Sequence, residues 1–254
     1  MLVLLPPSEG KSLPRRGRPL DLDTLSFPAL TQTRRRLGEA LVDLCVSDPD
    51  KAATVLGLGP TQADAVARDA ALWELPTARA DAVYDGVLYA ALDLDTLDPA
   101  ARRRASRSLA FASALFGLLR PADRIPAYRL SGNVTLPGLG TVASQWREVL
   151  GPVVEGALGS GLLVDLRSST YAALWKPPHE VAARTATVRV LHESDGRRTV
   201  VSHFNKATKG RLVRELLVEG AAPRTVVALA ETWRDLGWTV EEHGRRLDVV
   251  VTEV

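Results

Sequence analysis

The chain opens on an unbroken apolar run, Met1 to Leu5, that stops at Pro6 and Pro7. A short apolar run closed by prolines predicts a buried strand whose exit is forced into a loop. Between Leu30 and Cys45 the period changes. Leu37, Leu41, Leu44 and Cys45 share one stripe at helical spacing, which predicts a helix packed through that stripe. Ser47-Asp48-Pro49-Asp50 interrupts it. LGLGPTQADAVARDAALW then reads as a short helix, a glycine turn and a second helix starting near Pro60, where a residue lacking an N–H suits a first turn. Val83 to Leu92 fits either a strand or a turn running into a helix.

Pro99 opens a helical pattern whose apolar positions include Ala105, Leu109, Ala112 and Phe116. Gly117 breaks it, and Pro121 with Asp123 starts another element, so a helix-hairpin-helix-like corner is expected around residues 101–130. Leu162 to Leu166, after the glycine-rich GALGSG, predicts a strand, followed by a loop from Arg167 to Thr170 and a brief helix halted by Pro177 and Pro178. Ala186–His192 and Arg198–His203 alternate at period two around Asp195-Gly196, a strong hairpin signal. Leu212, Val213, Leu216 and Leu217 bury one side of a following helix. Val226–Trp233 reads as a helix capped near Gly237, with strands at Trp238–Glu242 and Leu247–Val251. This mixture predicts an α+β fold: one compact domain over residues 1–254, a mixed sheet and surrounding helices, not a regular dinucleotide-binding fold.

Length and composition bound the rest. A chain of 254 residues, 46% hydrophobic, is near the size at which single cores begin to split. No segment reaches the roughly 18 apolar residues of a membrane helix, and the opening lacks the basic prelude of a signal peptide. A cytoplasmic monomer without a membrane partner is expected. Cys45 is the only cysteine, which excludes an internal disulfide and a thiolate cluster; its place on the helical stripe makes it a small buried hydrophobe. His179, His192, His203 and His243 are scattered without ligand spacing, so neither a metal site nor a cofactor is expected.

Charge adds the chemistry. The formal net charge is only +2, but the positive residues are bunched. Lys11, Arg15, Arg16 and Arg18 face only Glu9 in the opening segment, and seven arginines lie between Arg102 and Arg129 against Asp123. SHFNKATKGRLVR carries Lys206, Lys209, Arg211 and Arg214 with no acid between them. Such local excess steers anionic partners even where the net value is small, although solvated faces balanced by the fold would look the same. Ser8-Glu9-Gly10-Lys11-Ser12 ends like a nucleotide-phosphate loop, but Leu5 stands where its leading glycine is required. A looser anion-binding turn around Lys11 survives that objection. At the 101–130 corner, backbone amides beside Gly117 and Pro121 together with Arg120, Arg124 and Arg129 are candidates for phosphate. Arg167 follows a strand end, where ligands gather in α/β architectures. Glu9, Asp165, Tyr171, His203 and Asn205 are candidates for a polar pocket; no catalytic residue is assigned.

Five segments appear in an order that resembles the YaaA family of bacterial peroxide-stress proteins: PPSEGK, YDGVLY, LFGLLRPADRIPAYRL, LVDLRSSTY and SHFNKATKGR. The resemblance spans nearly the whole chain. It implies an α+β protein of unusual topology with a positively charged cleft, a helix-hairpin-helix-like element and binding of double-stranded DNA without strong sequence preference. It also implies a part in surviving oxidative stress and limiting damage from intracellular iron. Carried over on matching positions are Gly117, Arg120, Pro121 and Arg129 at the corner, and Lys206, Lys209 and Arg211 in the basic segment. The SEGK loop replaces a shorter Ala-Lys-Thr version, and His203, Asn205 and Thr208 add hydrogen-bonding groups.

Two functions follow. The first is a DNA-binding protein of the peroxide response, contacting phosphate through these cations. The second is an enzyme acting on a nucleotide or another phosphorylated small molecule, in which Lys11, Arg167, Lys206 and Lys209 hold the anion while Glu9, Asp165 or His203 moves a proton and Tyr171 orients the substrate. A closed pocket joining those side chains would favour the second; an open basic groove over Gly117 and Arg120 would favour the first. A structural protein whose basic patches engage another protein ranks below both.

Overall fold

The computed structural model describes every residue except 63, 195, 201, 253 and 254, and all described side chains except those of 60 and 202–204. In chain order the first half contains β1 (Leu2–Leu5), α1 (Thr31–Ser47), α2 (Pro49–Val55), α3 (Asp64–Ala70), β2 (Ala78–Arg79), α4 (Ala80–Val83), α5 (Val87–Leu92) and α6 (Pro99–Ser108). There follow β3 (Leu109–Ser113), β4 (Gly117–Leu119), β5 (Arg124–Ile125), β6 (Thr135–Leu136), β7 (Gly140–Thr141), α7 (Val142–Arg147) and α8 (Leu150–Leu158). The last part holds β8 (Leu163–Asp165), α9 (Ser169–Ala172), α10 (His179–Ala182), β9 (Thr185–Ser194), β10 (Arg197–Thr199), α11 (Ser202–Glu219), α12 (Val226–Asp235), β11 (Thr239–His243) and β12 (Arg246–Val251).

The main sheet is ordered β11-β12-β9-β8-β1-β3-β4, with β10 paired to β9. Its centre, β12-β9-β8-β1-β3, is parallel, and an antiparallel neighbour closes each end, β11 on β12 and β4 on β3. The sheet is thus mixed and the fold is α+β, as the pattern of elements predicts. β1 and β3 are buried at every position, which explains why their sequences are continuously apolar: a central parallel strand is covered on both faces. No helix among the described residues is long and apolar enough to cross a membrane.

Residues 101–130 do not form two helices around Gly117. α6 starts as expected, with Asp98 accepting hydrogen bonds from the N–H groups of Ala100 (2.6 Å) and Ala101 (2.9 Å), but it ends at Ser108 and the chain enters the sheet. LAFASALFGLL is apolar at almost every position, and such a run carries no period that separates helix from strand. Here strand pairing wins: Val3, Leu4 and Leu5 stand opposite Leu109, Ala110 and Phe111, and Phe111 opposite Leu119. Gly117 opens β4 with φ +71, and a Cβ there would lie 2.5 Å from the Trp146 ring. Trp146 is fully buried, its indole N–H donating to Ala114 O at 2.6 Å. Gly117 is therefore a close-packing position and not an exposed hairpin glycine.

A helix–glycine turn–helix does exist, at residues 49–70. α2 ends at Val55, Gly57 takes φ +63, Pro60–Gln62 makes a 3-10 turn and α3 begins at Asp64. Positions 57 and 59 are exposed, with open space where a Cβ would stand. The two strands around residues 195–196 also form, as β9 and β10, but β10 is only three residues long and α11 starts at Ser202. Asp195 lies outside the described residues.

Gly117→Ala should destabilise the fold by about 2–5 kcal/mol, combining an L-residue at positive φ with overpacking against Trp146. Chemical denaturation compared with wild type measures it, and an unchanged midpoint would contradict the assigned packing.

Candidate functional site

Three loops leave the sheet at one edge because β1, β3 and β8 run parallel and in register. Leu4 stands opposite Ala110 on one side and Asp165 on the other. Pro6 to Ser12 follows β1, Ser113 ends β3, and Leu166 to Ser168 follows β8. The loop after β1 is stitched to the segment joining α4 and α5. The Tyr89 hydroxyl donates to Pro6 O at 2.6 Å, Asp85 N–H to Ser8 Oγ at 2.9 Å and Ser12 N–H to Val83 O at 2.9 Å.

Lys11 is the central cation of this edge. Its Nζ donates to Ser8 O at 3.0 Å and lies 4.3 Å from the Tyr128 ring centre and 5.7 Å from that of Tyr84. Burial pulls its pKa down to about 8, with Arg129 and Arg68 adding to the effect and Glu9 and Asp69 opposing it. Beneath it the Tyr84 and Tyr128 hydroxyls are hydrogen-bonded to each other at 3.0 Å and Tyr128 to Ser113 Oγ at 2.7 Å; Ser113 Oγ also accepts from Phe116 N–H at 2.9 Å. Burial pushes the Tyr84 hydroxyl up to about 12 and those of Tyr89, Tyr128 and Tyr171 upward as well, so at neutral pH all four are protonated donors. The chain's four tyrosines all gather here.

Asp69 is fully buried and accepts from Arg129 N–H at 3.0 and 3.2 Å. Burial raises its carboxyl to about 7 against the opposing pull of that backbone donor and of Arg68, Lys11 and Arg129. The Arg129 guanidinium bonds Glu9 O at 3.3 Å and the Glu9 carboxylate at 3.1 Å. Arg68 has its Nε buried without a hydrogen-bond partner.

Two cavities meet at the Glu9-Gly10 loop. One, of about 230 Å³, lies between Lys11, Arg129 and Tyr128 on one side and Thr61, Gln62 and Arg68 on the other. The second, of about 280 Å³, lies between Pro6–Gly10, Tyr89, Ser168, Tyr171 and Lys206.

The expected site residues are thus divided. Glu9, Lys11, Arg129, Tyr171 and Lys206 line these cavities. Lys209 is close to Asp165, burial lowering its pKa and that carboxylate opposing the shift. Asn205 keeps a buried Oδ1 without a hydrogen-bond partner, and Arg211 is exposed on α11. The side chain of His203 lies outside the described residues. Arg167 is spent internally: its side chain is 3% exposed, it pairs with Asp165 at 2.7 Å and it donates to Tyr171 O and Trp175 O. Arg120, Pro121 and Arg124 stand elsewhere. Arg120 donates to Leu109 O (2.8 Å) and Arg107 O (3.1 Å) over the Phe27 ring, at the beginning of β3, hence at the opposite edge of the sheet from Lys11 and Lys206. Pro121 O accepts from Asp81 N–H, and Arg124 donates to Thr77 O at 2.7 Å. Gly210, at the centre of the basic run, has a packing role: a Cβ there would come within 2.3 Å of Leu88 O, so it admits α11 against α5. Sequence reasoning did not select Ser113, Asp69, Arg68 or the tyrosines Tyr128, Tyr84 and Tyr89. These tyrosines are core by burial; the available signal was the clustering of scarce tyrosines beside glycines and prolines.

The family model described as "Peroxide stress protein YaaA" matches residues 1–243. The chain belongs to the YaaA peroxide-stress family. Among its relatives, a UPF0246 protein of Streptomyces coelicolor is 53% identical over 261 residues, covering 100% of both chains. A UPF0246 protein of Corynebacterium efficiens is 43% identical over 249 residues, 97% of each chain. One from Corynebacterium glutamicum strain R is 39% identical over 260 residues, covering 99% of this chain and 100% of the relative. Family membership supports a role in the peroxide-stress response.

Asp69 gives this YaaA-family site a pH signature. Its folded pKa, about 7, exceeds the ordinary 3.8, so the proton it binds on folding favours the native state below about pH 4, and that contribution is lost as pH rises through 7. Asp69→Asn should therefore gain stability relative to wild type between pH 4.5 and 8, by on the order of 1–4 kcal/mol. Urea denaturation of both proteins at the two pH values measures the difference, and a pH-independent difference would refute the assignment.

Proposed function

We propose that this YaaA-family protein binds double-stranded DNA, receiving a phosphate backbone where the helix–glycine turn–helix at residues 49–70 meets the Glu9–Lys11 loop. One observation carries the reading. The turn with the exposed Gly57 and Gly59 leads into Thr61, Gln62 and Arg68, and these line the same 230 Å³ cavity as Lys11 and Arg129. Glycines free of neighbouring atoms let a backbone come close to phosphate, and three cations against the carboxylates of Glu9 and Asp64 supply attraction that does not depend on base identity. This element replaces the 101–130 corner, whose Gly117 is buried and whose Arg120 faces the other edge.

A second reading, an enzyme acting on a nucleotide or another phosphorylated small molecule, is favoured by the 280 Å³ cavity that joins Glu9, Tyr171 and Lys206. Its concave shape suits a small ligand better than a duplex.

Duplex binding followed by fluorescence anisotropy across a salt series tests the first reading. With six phosphate contacts, affinity should fall by roughly a thousandfold between about 50 and 200 mM salt, and Arg68→Gln with Arg129→Gln should weaken binding and flatten the slope by about 2. Salt-insensitive or absent duplex binding would overturn it. Binding of mononucleotides without duplex binding would transfer the site to the second reading.

A further inference from the structure

Lys11 is built differently from the cations around it. Arg68 and Arg129 lie on the cavity wall as fixed, permanently charged guanidiniums, whereas Lys11 projects an amine over two aromatic faces, with a single backbone carbonyl, Ser8 O, accepting from it at 3.0 Å. Behind those rings runs the hydroxyl chain Tyr84–Tyr128–Ser113. A desolvated amine flanked by two cationic guanidiniums is one of the arrangements that activate a lysine toward a carbonyl carbon, and the guanidiniums suit a phosphate on the same ligand.

We propose that Lys11 is a covalent nucleophile that forms an imine with the aldehyde of a phosphorylated sugar held in the 230 Å³ cavity. The inference rests on the phosphate-binding reading of the same cleft and names the ligand's reactive group. The Lys11 ammonium first gives up one proton, for which the Glu9 carboxylate at the cavity is the acceptor. The freed Nζ lone pair attacks the aldehyde carbon and forms the C–N bond as the C=O π pair moves to oxygen. That oxygen takes up two protons, one from the nitrogen and one returned by Glu9, and leaves as water with the C–O bonding pair. The product is a protonated imine plus water, with no net proton released and no redox change. The ring faces of Tyr128 and Tyr84 that attract the ammonium also attract the cationic imine. Arg68 and Arg129 hold the phosphate. Glu9 is half-exposed beside Arg129 and so reaches both cavity and solvent. The pKa of about 8 supports the assignment, since it leaves roughly a few hundredfold more free amine at neutral pH than an ordinary lysine has.

The aldehyde has two sources: the opened deoxyribose of an abasic site in duplex DNA, and a small aldose phosphate such as glyceraldehyde 3-phosphate. Each is incubated with the full chain and cyanoborohydride, which reduces an imine to a stable secondary amine, and the adduct is located by peptide mass mapping. Adduct at Lys11 is expected to exceed that at Lys51, Lys176, Lys206 or Lys209 by about tenfold or more. It should be lost in Lys11→Arg, which keeps the positive charge and whose folding is checked by circular dichroism. The Lys11 adduct rate should rise with pH through about 8, the charged groups facing the amine being Glu9, Asp69, Arg68 and Arg129. Labelling spread equally over the lysines, or none from either substrate, overturns the proposal. Duplex binding without a Lys11 adduct defeats this inference and leaves the DNA reading intact. A Lys11 adduct with the aldose phosphate alone, in a protein that binds no duplex, sustains it and defeats the DNA reading.

Discussion

The register of β1 between β3 and β8 is the constraint on which the rest of the structure depends. With Leu4 paired to Ala110 and to Asp165, three strands end level with one another, and the polar segments that follow them have no choice but to meet. Parallel strands present their ends in this way because every crossover returns the chain to the same starting edge. Burial of β1 at every position makes that register costly to slip, since a one-residue shift would exchange faces in the middle of the core.

Holding an amine at such an edge requires compensation. Burial of Lys11 disfavours its charge, while the Tyr128 and Tyr84 ring faces favour it by about 0.5–2 kcal/mol and the Ser8 carbonyl satisfies one donor. Asp69 presents the mirror case: a carboxylate buried on α3 and held by a backbone N–H of Arg129. The two groups lie within electrostatic reach of each other with their pKa values displaced toward neutrality from opposite directions. Such displacement is common where protons or anions are handled, and here Lys11 lines the 230 Å³ cavity while Asp69 lies buried behind its wall.

Much of the fold was legible from periodicity. The stripe Leu37, Leu41, Leu44 does pack α1, and the closing α12, β11 and β12 fall where alternation places them. Val83 to Leu92 resolves into α4, a turn at Gly86 and α5. The failure at Leu109–Leu119 has a physical cause, because a run apolar at every position looks alike in a buried strand and in a buried helix, and only the β1 partner, a hundred residues away in the chain, decides between them. The site was half legible. Lys11, Glu9 and Lys206 stand out as charges beside turns, but Arg120 and Arg167 look the same in sequence and are consumed by carbonyl oxygens and by Asp165. Charge density says where cations are. Which of them are left free is decided by hydrogen-bond partners that only folding brings near.

The stripe that packs α1 also buries the chain's one thiol. Cys45 is its single cysteine, 2% exposed, and burial pushes its thiol up to about 12. Oxidants react with thiolate, and at cellular pH this residue supplies almost none. A member of a peroxide-stress family thereby carries its one thiol in a form that peroxide attacks slowly, and the packing of α1, more than any charged neighbour, is what keeps it so.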